Sequence, residues 1–207
     1  MFRFYHINDN TNLVVMSIYL MEKGKVFMKN VLVISTSLRA GSNSKVLAEK
    51  FAEGAKSVGN QVEFISLKGK KINFCIGCLS CQKTKECVIK DDSNEIVHKM
   101  QNADVIVFAT PIYYYEMSGQ MKTLLDRGNP LFVSDYNFKD IYLIATCADG
   151  EKQALNRAIS GLGGWIECFD GVELKGVIYG VGANEPNQTK SMPNLLDEAY
   201  NMGKSIK

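Results

Sequence analysis

Five short apolar runs divide the chain, and the stretches that follow most of them carry their hydrophobic residues at helical spacing. The first run, VLVIS (31–35), is continuous and β-branched, the pattern of a strand covered on both faces. Beyond it, Leu47, Phe51, Ala55 and Val58 recur three to four residues apart with lysines and glutamates between them, which predicts an amphipathic helix ended by Gly59-Asn60. QVEFISL (61–67) predicts a second strand, NEIVHKMQNA (94–103) a short helix and DVIVFAT (104–110) a third strand. GQMKTLLDRG (119–128) reads as helix, DIYLIAT (140–146) as strand and KQALNRAISGLGGW (152–165) as helix. LKGVIYGV (174–181) is the last expected strand and MPNLLDEAYNMGKSI (192–206) the closing helix. Five β–α units in alternation predict an α/β fold with a doubly wound, five-stranded parallel sheet, helices on both faces and right-handed crossovers. Ligands of such sheets sit beyond the carboxyl ends of the strands, where strand order reverses, so the loops after strands one, three and four are the ones to inspect.

Composition narrows the class without choosing a chemistry. With 207 residues, 46% hydrophobic and 22% charged, the chain can bury a full core as one domain, expected over 28–207. A net charge of +2 with no basic block gives no reason to expect nucleic acid or an anionic membrane as partner. The apolar run LVVMSIYLM (13–21) is too short to span a bilayer and lacks the flanks of a secretory signal. Residues 1–27 are read as an N-terminal extension with Met28, directly before the first strand, as the expected native start; an extra terminal helix or strand is the alternative. The expected compartment is the cytoplasm, where a structural disulfide is not favoured.

The three loops differ in what they offer. STSLRAGSNSK (35–45) supplies hydroxyls at Ser35, Thr36, Ser37, Ser42 and Ser44, an amide at Asn43, a guanidinium at Arg39 and a turn glycine at Gly41. It runs into a helix N-terminus, where free N–H groups and the dipole favour an anion. One such residue makes an ordinary cap, whereas six suit a phosphate monoester; neither a Walker A loop nor G-x-G-x-x-G is present. TPIYYYEMSGQMK (110–122) predicts a stiff turn with aromatic faces, fit to stack a heteroaromatic ring or to meet a second subunit. TCADGEK (146–152) is small and polar, and Cys147 has no histidine near it in sequence that would make it a nucleophile. A phosphate site beside an aromatic shelf describes a mononucleotide with a flat ring, such as FMN. A receiver domain would need an acidic pair after strand one, and a phosphatase of similar topology a cysteine; the chain has neither there.

STSLRAGSNS, the clustered cysteines and ATPIYYYEMSGQMKTLLDR together resemble the NAD(P)H-dependent FMN reductases, in particular the iron–sulfur flavoprotein branch. The resemblance runs from Lys29 to about Ile206 and implies a flavodoxin-like sheet of order 2-1-3-4-5. It implies that Ser37, Arg39, Ser42, Asn43 and Ser44 hold the FMN phosphate. Pro111, Ile112, Tyr113 and Tyr114, with Gly119, would frame the isoalloxazine, and Thr146, Cys147 and Ala148 would line its far side. The first loop departs from the commoner Gly-Ser-Pro-Arg, reading Thr36-Ser37-Leu38-Arg39. The implied chemistry is hydride transfer from NADH or NADPH to flavin and delivery of electrons to a small-molecule or protein acceptor. The flavin carries that reaction, so no catalytic acid or base is required. His98 reads as a solvated residue on a polar helix face, and a homodimer or homotetramer is implied.

CIGCLSCQKTKEC (75–87) gathers four of the six cysteines at C-x2-C-x2-C-x5-C. Three closely spaced thiols and a fourth meet the need of a [4Fe–4S] cube for convergent thiolates, although the ferredoxin run ending in Cys-Pro is not reproduced. Structural zinc prefers two separated C-x2-C pairs. The resemblance makes Cys75, Cys78, Cys81 and Cys87 the candidate cluster ligands. A cluster-free NAD(P)H-dependent FMN reductase with a plain thiol loop is the alternative, and a flavodoxin-like electron carrier the non-enzymatic one. Cys168, beside Phe169, reads as core packing.

Overall fold

The computed structural model describes residues 28–207; residues 1–27, with the expectation of an N-terminal extension, lie outside the described residues. In chain order the elements are β1 (Asn30–Ser35), α1 (Asn43–Ser57), β2 (Gln61–Ser66), α2 (Cys81–Thr84), α3 (Asp92–Asn102), β3 (Val105–Tyr113) and β4 (Glu116–Met117). Then follow α4 (Gly119–Arg127), β5 (Asp140–Thr146), α5 (Asn156–Ile166), β6 (Glu173–Gly180) and α6 (Pro193–Lys204). The strands lie in the order β2-β1-β3-β5-β6, all paired in parallel, with β4 antiparallel to the end of β3. Counting the parallel strands alone, this is the expected flavodoxin-like order 2-1-3-4-5.

The period-two alternation of each strand sorts its side chains into two cores. Leu32, Ile34, Ile106, Phe108, Ile141 and Leu143 face α3, α4 and α5, whose Met100, Leu124 and Leu162 are fully buried against them. Val31, Val33, Val105, Val107 and Ile144 face α1 and α6. Each fully buried Val, Leu or Ile contributes about 1.5–3 kcal/mol, so both helical layers are held by the same strands. On the second face α1 and α6 approach to backbone contact: a Cβ on Gly54 would sit 2.0 Å from the Tyr200 carbonyl oxygen, and one on Gly203 2.0 Å from that of Phe51. Among the described residues no helix is long and apolar enough to cross a membrane.

Three expectations are corrected. The third strand does not stop at Thr110. It continues through Pro111, whose partner in β5 is Thr146, to Tyr113, and then turns back as β4. The helix expected over 152–165 opens with a 3₁₀ turn over Lys152–Leu155 before α5. Cys168 is exposed rather than packed in the core; Phe169 fills that role. His98 is exposed on α3, as expected.

Candidate functional site

β1 ends in Ser35, whose buried hydroxyl has no hydrogen-bond partner among the described residues. The chain then turns through Gly41, at φ 69°, and enters α1 with Ser42 as N-cap, its hydroxyl accepting from the Lys45 N–H at 3.3 Å. Ser42 Oγ and Ser44 Oγ lie 3.1 Å apart, and Ser37, Ser42 and Ser44 are all buried. The backbone N–H groups of Ser37, Leu38, Gly41, Ser42, Asn43 and Ser44 donate to no acceptor among the described residues. Buried polar groups are ordinarily paired, so a row of free donors at the positive end of a 15-residue helix is a cradle for an anion.

The Asn43 side chain has partners within the protein. The Asn43 amide donates to the carbonyls of Ala183 (3.2 Å) and Glu185 (2.8 Å), and its oxygen accepts from the Thr189 N–H (3.1 Å) and hydroxyl (3.3 Å). Both ends of the side chain are therefore committed to the loop after β6, and only the Asn43 backbone N–H remains for a phosphate. The same loop receives Arg39, whose Nη1 donates to the Asn184 carbonyl at 2.8 Å, and returns the Asn187 N–H to the Gly41 carbonyl at 2.7 Å. Glycine at 41 is favoured by its φ of 69°, and a Cβ there would also lie 2.6 Å from Asn187 Nδ2, which would have to shift. This strap, GANEPNQTK (182–190), was not singled out from sequence. Its run of Gly, Asn and Pro signals a turn and nothing about what the turn touches.

Beside this cradle, β3 and β4 form a hairpin whose two central residues are Tyr114 (φ 51°) and Tyr115 (φ 66°). Positive φ at both positions is the pattern of a type I′ turn, normally made by Asn-Gly. Bulky residues held there are strained, and such strain concentrates at functional sites. Tyr114 is 98% exposed, whereas Tyr113 and Tyr115 are about half exposed and the Tyr115 hydroxyl reaches Asp149 at 3.5 Å. Ser118 follows as N-cap of α4, fully buried, with hydroxyl contacts of 3.1 Å to Thr36 and to Thr110. Gly119, at the first turn of α4, is exposed. Thr146 and Cys147 are buried and Ala148 is exposed; the Cys147 thiol bonds the Asp149 carbonyl at 3.3 Å. Burial, with the Asp149 charge behind it, pushes the Cys147 thiol up, away from a nucleophilic thiolate. The pairings Ser35–Ala109 and Pro111–Thr146 set all three loops along one edge of the sheet.

The cysteine loop occupies the stretch between β2 and α3, with α2 inside it. Cys75, Cys78, Cys81 and Cys87 all line one cavity with Arg127, Asn129 and Pro130. That cavity is about 20 Å³, room for roughly one water. As placed, no three His, Cys, Asp or Glu side chains among the described residues form a metal-ready group. The donor chemistry nonetheless fits. A hydrogen bond from the Ser80 hydroxyl, then one from its backbone, pulls the Cys78 thiol down, and Asn129 Nδ2 lies 3.0 Å from Cys81 Sγ. Gly77, Leu79 and Lys85 all have positive φ, the conformation from which backbone nests for anions are built. Phe74, at 78% exposure, with Ile76 and Leu79, leaves the outer side of the loop uncovered.

A family model for NADPH-dependent FMN reductases matches residues 29–171. An iron–sulfur flavoprotein of Methanocaldococcus jannaschii is 41% identical over 101 residues, 49% of this chain and 52% of the relative. One from Archaeoglobus fulgidus is 37% identical over 103 residues, 50% of this chain and 46% of the relative, so the chain spans about half the length of these relatives. YwqN of Bacillus subtilis, named as an NAD(P)H-dependent FMN-containing oxidoreductase, is 31% identical over 170 residues, 75% of this chain and 86% of that one. Among solved structures, an NAD(P)H:quinone oxidoreductase from Methanothermobacter marburgensis shares the fold, with a TM-score of 0.65 at 16% identity over 87% of this chain and 100% of the other. A Trp repressor binding protein from Bacillus subtilis gives a TM-score of 0.62 at 25% identity, over 83% and 98%. With the family match covering most of its length, the chain belongs to the NADPH-dependent FMN reductase family.

Proposed function

We propose that the protein binds FMN along the carboxyl edge of its sheet and acts as an NAD(P)H-dependent FMN oxidoreductase. The observation that carries this reading is the row of unpartnered N–H groups and buried hydroxyls between Ser37 and Ser44, one strand away from the strained tyrosine turn. Ser37, Ser42, Ser44 and the loop backbone hold the phosphate; Asn43 and Arg39 act on it through the strap they anchor. Pro111, Ile112, Tyr113, Tyr114 and Gly119 frame the ring, and Thr146, Cys147 and Ala148 border it. FMN bound there supplies hydride acceptance from a reduced nicotinamide and release of electrons to a small-molecule or protein acceptor. The tyrosine rings exclude water from one side of the ring, and no proton donor is demanded of the chain. Cytoplasmic residence and assembly as a homodimer or homotetramer belong to the same reading; the exposed Phe74, Ile76, Leu79 and Phe132 supply apolar surface for a second copy.

In the fuller form of the reading, Cys75, Cys78, Cys81 and Cys87 hold a [4Fe–4S] cluster, supported by the shared cavity and by the names of the archaeal relatives. A cluster supplies single-electron transfer between flavin and acceptor. The small cavity favours a second reading, a cluster-free reductase with a thiol loop. Anaerobic purification, an absorbance spectrum, iron and sulfide assays and NAD(P)H oxidation decide among them. Flavin bands with about four irons per chain support the cluster, and flavin bands alone the second reading. Bound flavin without NAD(P)H oxidation would mark an electron carrier. Protein unable to take up FMN removes the proposal.

A further inference from the structure

Arg127 ends α4 and is fully buried with its partner Asp91. The guanidinium reaches both shoulders of the cysteine loop. Nη1 donates to the Asn73 carbonyl (2.8 Å), two residues before Cys75, and to Asp91 (2.7 Å). Nη2 donates to the Ile89 carbonyl (2.9 Å), two residues after Cys87, and to Asn94 (3.3 Å). Asp91 closes the frame by accepting from the Asn73 backbone and side chain, each at 2.9 Å. One donor is left over: Nε is buried and without a partner among the described residues. Both Arg127 and Cys87 line the cavity that the other three cysteines share.

Arginine suits this place for reasons lysine cannot meet. Five fixed donors allow one side chain to bind two carbonyls and a carboxylate and still keep an N–H in reserve. Asn129, two residues on, already contacts Cys81. Four thiolates around a cube carry net negative charge, and hydrogen bonds to sulfur together with nearby charge set the potential of such a centre.

We propose that Arg127 is the positioning residue of the cysteine site: it ties the chain before Cys75 to the chain after Cys87 and keeps its unpaired Nε–H and its charge beside the cavity that the four cysteines line. The part concerning a cluster rests on the iron–sulfur reading above; the framing of the loop does not. FMN is held at the opposite end of α4, so loss of Arg127 leaves flavin content unchanged.

The test compares the full, FMN-loaded chain with Arg127→Lys and with Arg127→Met/Asp91→Asn, in which no charge is left buried alone. In metal-free protein, amide hydrogen exchange across residues 74–90 is expected to quicken at least tenfold in both variants, with FMN retained. After anaerobic reconstitution with ferrous iron and sulfide, the double variant is expected to show a more negative cluster midpoint potential by EPR-monitored titration. The Nε–H and the positive charge beside the cysteines are both lost there, whereas Arg127→Lys keeps the charge but loses the Nε–H and is expected to fall between the parent and the double variant. Unchanged exchange in folded, FMN-loaded variants, or a double variant with the parent potential, overturns the proposal. If the parent itself takes up no iron, the cluster reading and the sulfur role fall together, and exchange alone decides the framing.

Discussion

Thr36 and Ser118, 82 residues apart in sequence, bring their hydroxyl oxygens to 3.1 Å in the buried floor of the site. The Thr36 hydroxyl donates to the Ala109 carbonyl at 3.1 Å, so the proton between the pair belongs to Ser118, while the Thr110 hydroxyl accepts from the Ser118 N–H and shares its proton between Ser118 Oγ at 3.1 Å and the Pro111 carbonyl at 3.0 Å. These contacts join the loop after β1, the end of β3 and the start of α4. Ser118 also caps α4, accepting from the Met121 N–H at 3.3 Å.

Ser118→Ala should therefore cost more than a helix cap. Loss of the cap is worth about 1 kcal/mol, and leaving buried hydroxyls short of a partner adds about 1–3 kcal/mol. Urea unfolding should show a loss of about 2–4 kcal/mol, with FMN affinity falling about tenfold in a fluorescence titration. A loss of stability with affinity intact would separate the hydroxyl chain from the flavin site.

The tyrosine turn offers a test with opposite signs for stability and function. Holding a non-glycine residue in the left-handed region costs about 1–2 kcal/mol, and Asn-Gly meets the same turn without that strain. Tyr114→Asn/Tyr115→Gly should raise the melting temperature while weakening FMN binding and slowing NAD(P)H oxidation. Higher stability with unaltered flavin binding would mean that the rings serve a surface other than the flavin.

How far the sequence carries depends on where each residue's partners lie. The central strands are legible because covering both faces forces continuous β-branched runs such as VLVIS, and the loop after β1 stands out because six polar residues before a helix exceed what a cap requires. The side-chain partners of Asn43 are hidden because Ala183, Glu185 and Thr189 are at least 140 residues away, and an amide looks the same whether it faces a ligand or a strap. Arg127 sits in an amphipathic helix where an arginine ordinarily points to water; only the fold shows the frame at Asn73, Ile89 and Asp91. The extension of β3 is hidden because Pro111 reads as a strand end and Tyr-Tyr lacks turn chemistry.

The contact between α1 and α6 predicts sharp intolerance at two glycines. Both hypothetical Cβ atoms fall 2.0 Å from backbone carbonyl oxygens, which cannot rotate aside as a side chain could. Gly54→Ala and Gly203→Ala should each destabilise by about 3 kcal/mol, the upper part of the usual range for overpacking, despite alanine's better helix propensity. Thermal denaturation checks this. A stabilised alanine variant would mean that the helices separate without cost.

The Asp91–Arg127 pair predicts how the protein meets acid. Burial alone would push the Asp91 carboxyl up. Hydrogen bonds from Arg127, Asn73 and Ser93 outweigh it and hold the group well below the usual carboxylate range. A depressed native pKa means that the stabilisation is fully present above the unfolded value, near about 3.9, and is lost as pH falls below it toward the native value. At neutral pH, Asp91→Asn leaves a buried guanidinium without its counter-charge and should cost about 3–5 kcal/mol. Below about pH 4 the unfolded parent takes up a proton on Asp91 that the folded parent does not, so its advantage shrinks and the two unfolding curves converge. Urea midpoints measured at neutral, mildly acidic and strongly acidic pH give that gap directly. A gap that stays constant into strong acid would show that Asp91 does not couple its proton to folding.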